Sequence, residues 1–249
     1  MRKGYRIAAA VVCSAVLLVA VTGCTRVRLQ DTPSTAVQTM HKTVDLGGAT
    51  HLDTTLRMGV GELTLKSLDT SVSAMSADFE FAPTTWKPEV TYSVSGSDGT
   101  LLVRQPENIE ISPLKNARNN WTVRLAKGIP TDLRLGLGVG TSDVDLRGID
   151  LESLDVTTGV GKTTIDLSGP RARGLSGRIE SGVGDLTLRL PASVGARVTG
   201  GKDGLGDFTA DGVGVNSAGW VNDAYSGSGP KIEIELKRGI GNVTILLVD

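Results

Sequence analysis

The chain has 249 residues, 26 basic against 27 acidic, with only 4% aromatic side chains and 32 glycines, well above the average of about 7%. Near-neutral charge argues against a nucleic-acid-binding face, and so few large rings predict a thin, layered core rather than a broad globular one. The length would allow one large or two small domains, but the first stretch does not count toward either.

That stretch opens with Arg2, Lys3 and Arg6, continues as an apolar run from Ile7 to Val21, and closes on Thr22, Gly23 and Cys24. A basic segment, a short apolar run and small residues in this order have the form of an export signal. The run is shorter than the roughly 20 residues a spanning helix needs, so it predicts no transmembrane segment in the mature chain. Val21-Thr22-Gly23-Cys24 resembles the lipobox of bacterial lipoprotein precursors. The resemblance implies a signal peptide at 1–23, a diacylated Cys24 and an extracytoplasmic protein anchored to the membrane, since two acyl chains are needed for stable anchoring. Cys13 would leave with the signal peptide, so disulfides, zinc-thiolate sites and cysteine nucleophiles are not expected. Losing Arg2, Lys3 and Arg6 leaves 23 basic residues against the 27 acidic ones.

Residues 24–44 are polar and lack a lasting period, which predicts the lipidated N-terminus and a tether or lead-in strand, with a single domain over 45–249. Within that domain a unit recurs: GVGELTL from Gly59, GVGTSDVDL from Gly138, GVGKTTIDL from Gly159, GVGDLTLRL from Gly182, GLGDFTA from Gly204 and GIGNVTILL from Gly239. Gly138, Gly159, Gly182 and Gly204 follow at steps of 21, 23 and 22 residues; the last step, of 35, carries an insertion. The residue between the glycines is always aliphatic (Val60, Val139, Val160, Val183, Leu205, Ile240), and these side chains are expected to stack as one internal ladder. A second apolar column follows at Leu65, Val144, Ile165, Leu188, Ala210 and Ile245. Beside it runs a polar one at Thr64, Asp143, Thr164, Thr187, Thr209 and Thr244. Adjacent apolar and polar columns are what the alternating faces of strands require.

Each unit of about 22 residues therefore reads as strand, Gly-x-Gly corner, strand and return, and such units must stack on one another to bury their faces. From Ser71 to Lys127 the period breaks, but strand character persists in SAMSADFEF, PEVTYSVSG, TLLVRQ and NWTVRL, with a polar loop between Pro106 and Asn119. No stretch has a sustained helical period with caps. The expected fold is an all-β, single-domain solenoid or rack.

MGVGELTL, WKPEVTYSVSG with GTLLVRQP, LDVTTGVGKTTIDLSGP, IESGVGDLTLRLP, WVNDAY and IEIELKRGIGNVTI together resemble the bacterial toast-rack domain family. That family is similar to the C-terminal domain of LiaF-type envelope-stress regulators and to adhesin-type repeat proteins. The resemblance covers about Val44 to Val248 and implies a right-handed β-helical or rack-like domain without an established catalytic site. LiaF-type proteins carry membrane-spanning helices ahead of the domain, whereas this chain has a lipobox.

Several motifs suggest chemistry without completing it. Gly159-Val160-Gly161-Lys162-Thr163-Thr164 resembles the end of a phosphate-binding loop, but Val156 stands where that loop needs glycine and a strand should follow. Asp145, Asp166, Arg189 and Asp211 form one outward column that could hold calcium, and Asp143, Asp145 and Asp166 could serve a carbohydrate-active enzyme. His41 and His51 lack any nucleophile-elbow partner. Trp220 and Tyr225, in the last insertion, are read as an end cap, with Asn222 and Asp223 bound to turn backbone. No catalytic, metal or cofactor residue is assigned. The expected role is a lipid-anchored structural or interaction protein of the cell envelope, adhesin-like or related to envelope stress, that contacts wall polymer, another envelope protein or itself; the alternative is a glycan- or calcium-binding solenoid or a weak carbohydrate-active enzyme.

Overall fold

A computed structural model of the chain describes residues 36–69, 72–107, 117–201, 203–212 and 219–249. The expected signal peptide and Cys24 anchor lie outside the described residues, as do residues 108–116 of the expected polar loop. Among the described residues there are sixteen strands joined in one sheet, two short 3₁₀ turns, and no helix long and apolar enough to cross a membrane.

The repeat units are the rungs. Strand β2 (His51–Leu68) runs through the first Gly-x-Gly, preceded by β1 (Gln38–Asp45) and followed by β3 (Ser73–Ala82), β4 (Glu89–Ser95), β5 (Asp98–Arg104) and β6 (Arg118–Ala126). The later rungs are β7 (Thr131–Asp145), β8 (Leu151–Val160) with β9 (Thr163–Asp166), and β10 (Leu175–Val183) with β11 (Leu186–Pro191). The chain ends with β12 (Gly195–Gly200), β13 (Phe208–Ala210), β14 (Gly219–Val221), β15 (Lys231–Ile240) and β16 (Val243–Val248).

Before the corner, the strands line up as β4, β5, β2, β7, β8, β10, β15, β12 and β14; after it, as β1, β3, β6, β2, β7, β9, β11, β16 and β13. Every rung-to-rung pairing is parallel, and antiparallel pairs occur only at the flanks. The sheet is thus creased along the Gly-x-Gly line. Its inner faces form one apolar cluster, in which Leu65, Val144, Ile165, Leu188 and Ile245 are fully buried. The polar column is in register beside it: Thr64 with Asp143, then Thr164, Thr187, Thr244 and Thr209.

The structure departs from the sequence reading in three places. The domain starts ahead of the expected boundary at 45, because β1 begins at Gln38 and pairs with β3, which makes the end of the 24–44 segment the lead-in strand. The final two rungs exchange places, because β15 lies between β10 and β12, and β16 between β11 and β13. The third concerns the corner residues, which form no internal ladder. Val139, Val160, Val183, Ile240 and Leu205 are between 46% and 69% exposed.

Candidate functional site

The exposure of the corner residues follows from how the backbones cross the crease. Strand-type bonds continue straight through it, with Gly161 N–H donating to Val183 O at 2.8 Å, Gly184 to Ile240 at 2.7 Å and Gly241 to Leu205 at 2.7 Å. From the second rung on, both glycines of a corner lie against the neighbouring backbone: a Cβ on Gly138 would sit 2.0 Å from Gly59 O. With the rungs in direct backbone contact on either side, the middle side chain goes to the outside of the bend. The result is a crest of branched aliphatic side chains one strand spacing apart, about 4.8 Å, flanked by two rows of bare glycine.

Both ends of the crest are closed by side chains, at the first rung from outside the repeat and at the last from the neighbouring rung β15. At the first rung, Gln105 Oε1 accepts Gly59 N–H at 2.8 Å and Val60 N–H at 3.0 Å, and Asn119 Nδ2 donates to Val60 O at 2.6 Å. Asn119 is held in turn by Trp121 Nε1–H at 2.7 Å. At the last rung the Arg238 guanidinium donates to Gly206 O at 2.9 Å, Asp207 O at 3.0 Å and Gly204 O at 3.1 Å. Where the stack has no further rung to bond, side chains satisfy the corner backbone.

The broad outer faces are tiled with ion pairs. Ahead of the crease, Arg134 meets Asp53 at 2.5 Å, Arg197 meets Glu233 at 2.8 Å, Lys237 meets Glu180 at 2.9 Å, and Arg178 meets Glu235 at 3.0 Å. A shallow groove of about 490 Å³ crosses this face, lined by Arg134, Asp155, Arg178, Arg197, Glu233 and Glu235, so acids and bases alternate along it.

Beyond the crease, Asp145, Asp166 and Arg189 stand side by side, with Asp211 at the end of the same column. Their carboxylates are engaged within the protein. Asp145 takes the Arg147 guanidinium at 2.6 and 2.8 Å, while Asp166 accepts Ser168 N–H at 2.9 Å and lies 3.6 Å from Arg189. Calcium there would have to displace both arginines and a turn. Asp143 points outward from the same half-sheet and is exposed.

The Arg147 side chain, hydrogen-bonded to Asp145, holds that carboxyl below the usual carboxylate value of 3.8. A depressed carboxyl stabilises the folded state above its unfolded value, and this contribution is lost as pH falls through the folded one. Asp145→Asn is therefore expected to lower Tm slightly at neutral pH and to flatten its decline between about pH 4 and pH 2. An unchanged slope in thermal melts would show that the pair contributes nothing.

The remaining motif residues are placed as follows. Lys162 is exposed at its corner and the strand β9 follows it. His41 Nδ1 lies 2.7 Å from Asp78. His51 is ringed by carboxylates, Asp132 at 3.3 Å, Asp98 at 3.4 Å and Glu152 at 3.7 Å, a grouping drawn from four separate strands that no local sequence pattern signals. Trp220 is buried on β14, the last strand ahead of the crease, and its Nε1–H reaches Asp211 O at 3.0 Å. Asn222 binds turn backbone as expected, accepting Ala196 N–H at 2.8 Å and donating to Val194 O at 2.8 Å. Tyr225 lies between the cations of Arg197 and Lys231, 4.6 and 4.2 Å from the ring centre, and its hydroxyl donates to Glu233 at 2.5 Å.

Parallel rungs creased at glycine pairs, an exposed aliphatic crest and closed ends define a rack-type β-repeat protein. The sequence profile of the N-terminal domain of toast_rack, DUF2154, matches residues 33–189, and the chain belongs to that family. Among solved structures it is similar to a candidate cell adhesion protein from Clostridium sporogenes, with 30% identity, 86% of this chain and 100% of that chain covered, and a TM-score of 0.75. A candidate adhesin from Bacteroides fragilis aligns at 16% identity over 86% of this chain and 99% of that chain, with a TM-score of 0.37. The comparison with curated proteins returns no match.

Proposed function

We propose that the chain is an adhesin-like interaction protein of the bacterial cell envelope, held at the membrane surface by acyl chains on Cys24 and presenting the rack outside the cytoplasm. One observation carries this reading: 30% identity along the whole length of a solved chain described as a candidate cell adhesion protein. The outer surfaces support it. Broad, flat faces whose charges are paired suit contact with an envelope protein or a wall polymer, and the proposal gives them no catalytic role.

The test is crosslinking of the tagged protein on intact cells, with Cys24→Ala as the secreted control, followed by mass spectrometry of captured proteins and glycans. Recovery of a discrete envelope protein with the anchored form alone is the expected result. Glycan alone would move the assignment to polysaccharide binding across the groove of Arg134 and Glu235, and recovery of nothing would count against any envelope partner.

A further inference from the structure

Five of the large apolar side chains most exposed on the described surface, Val139, Val160, Val183, Ile240 and Leu205, fall in a single row. Apolar residues scattered singly over a surface need no explanation, whereas a contiguous row of them often marks an interaction site. Its shape is equally specific, since each branched side chain stands between glycines that carry none. With no side chains beside it to hold a partner off, such a ridge can bury its aliphatic row against a second ridge of the same kind. We propose that the crest is a self-association surface, on which a second copy of this chain lies antiparallel, crest against crest.

The charges beside the crest select this occupant and its register. Following the second glycine of each corner, in spatial order, are Glu62, Thr141, Lys162, Asp185, Asn242 and Asp207. A two-fold axis between the third and fourth rungs brings each Lys162 against Asp185 of the second copy, giving two ion pairs at the centre, and sets Thr141 against Asn242. Shifting by one rung either way sets Asp185 against its own copy or Lys162 against its own copy, and both repel. At the ends Glu62 meets Asp207, where Arg238, bonded to Asp207 O at 3.0 Å, supplies the compensating cation. An acidic majority along this row disfavours an anionic membrane as the occupant. The modest area fits a reversible dimer rather than an obligate one.

Residues 33–249 suit the test, because they form one compact unit. Sedimentation velocity across a concentration series is expected to show a monomer–dimer equilibrium. Lys162→Asp and Asp185→Lys each place like charges at the centre and should weaken the dimer by about tenfold or more. The double variant restores the pairing and should recover wild-type association. Val160→Asp with Val183→Asp should abolish the dimer while leaving the circular dichroism spectrum unchanged.

A monomer at every concentration overturns the proposal, as does a dimer indifferent to these substitutions or a double variant as weak as the singles. Flotation with phosphatidylglycerol vesicles, lost in the valine variants while the protein stays monomeric, would overturn it in favour of a lipid surface. None of these outcomes depends on the anchor or on the envelope partner, so this inference and the proposed function fail separately.

Discussion

Gly161→Ala is expected to unfold at a much lower urea concentration than wild type, with a loss of about 3–5 kcal/mol. Two effects combine at this position. The backbone has φ of +141°, which side-chain-bearing residues rarely adopt, and a Cβ built there sits 1.7 Å from Gly140 O. That contact cannot be relieved by a rotamer change, because the opposing atom belongs to the neighbouring rung's backbone. The rungs must separate, which weakens the Gly161 N–H bond to Val183 O on the other side as well. In a stack held by nearest-neighbour interfaces, a spoiled central interface weighs on the whole rack. Gly48→Ala is the control, since Gly48 has φ of +91° and nothing within 4 Å of a new Cβ. It should cost only the conformational strain, about 1 kcal/mol. Equal losses in the two variants would show that positive φ, not the stacking of corners, is what the glycines serve.

Trp121→Ala should cost a similar amount, about 3–5 kcal/mol, for a different reason. Trp121 is buried on β6, edge-on to Phe79 with ring centres 5.4 Å apart, in a core that has few other large rings. Its removal leaves a cavity that β6, tied to β2 on one side and to β3 on the other, cannot close. It also frees Asn119, whose amide holds Val60 O at the first corner. Trp121→Phe keeps most of the volume and loses the donor, so it should cost less than half as much while raising hydrogen exchange around Glu62 and Leu63. Equal losses from Ala and Phe, measured by urea denaturation, would assign the effect to the hydrogen bond rather than to the cavity.

Much of this architecture is legible in the chain because it is written locally. Leu65, Val144, Ile165, Leu188 and Ile245 lie one residue from Thr64, Asp143, Thr164, Thr187 and Thr244, and period-two alternation assigns each column to a face without knowledge of any neighbour. The glycine pairs announce corners for the same reason, whereas of the two large residues read as an end cap only Trp220 lies on the last strand, and Tyr225 lies on the outer face with Arg197, Lys231 and Glu233. What stands beside what is not local. The return between Gly182 and Gly204 is as long as those between adjacent rungs, yet it spans two strand spacings, about 10 Å, and leaves the gap that β15 and β16 fill. A few residues of loop reach either distance equally well, so spacing alone could not distinguish them.

Cys24 and the residues before it rest on sequence, through the order of basic, apolar and small residues that precedes the domain. Sequence also determined the all-β class, the repeat, the corners and the two faces of each strand, because alternation and glycine act within a few residues. The tertiary structure decided the exposure of Val139, Val160, Val183, Ile240 and Leu205, the order of the last rungs, and the closing of the crest by Gln105, Asn119 and Arg238. The direction of a crease, the neighbour of a parallel strand and the partner of a terminal carbonyl are set by packing across the whole sheet, where residues distant in the chain compete for the same hydrogen bonds and the same space.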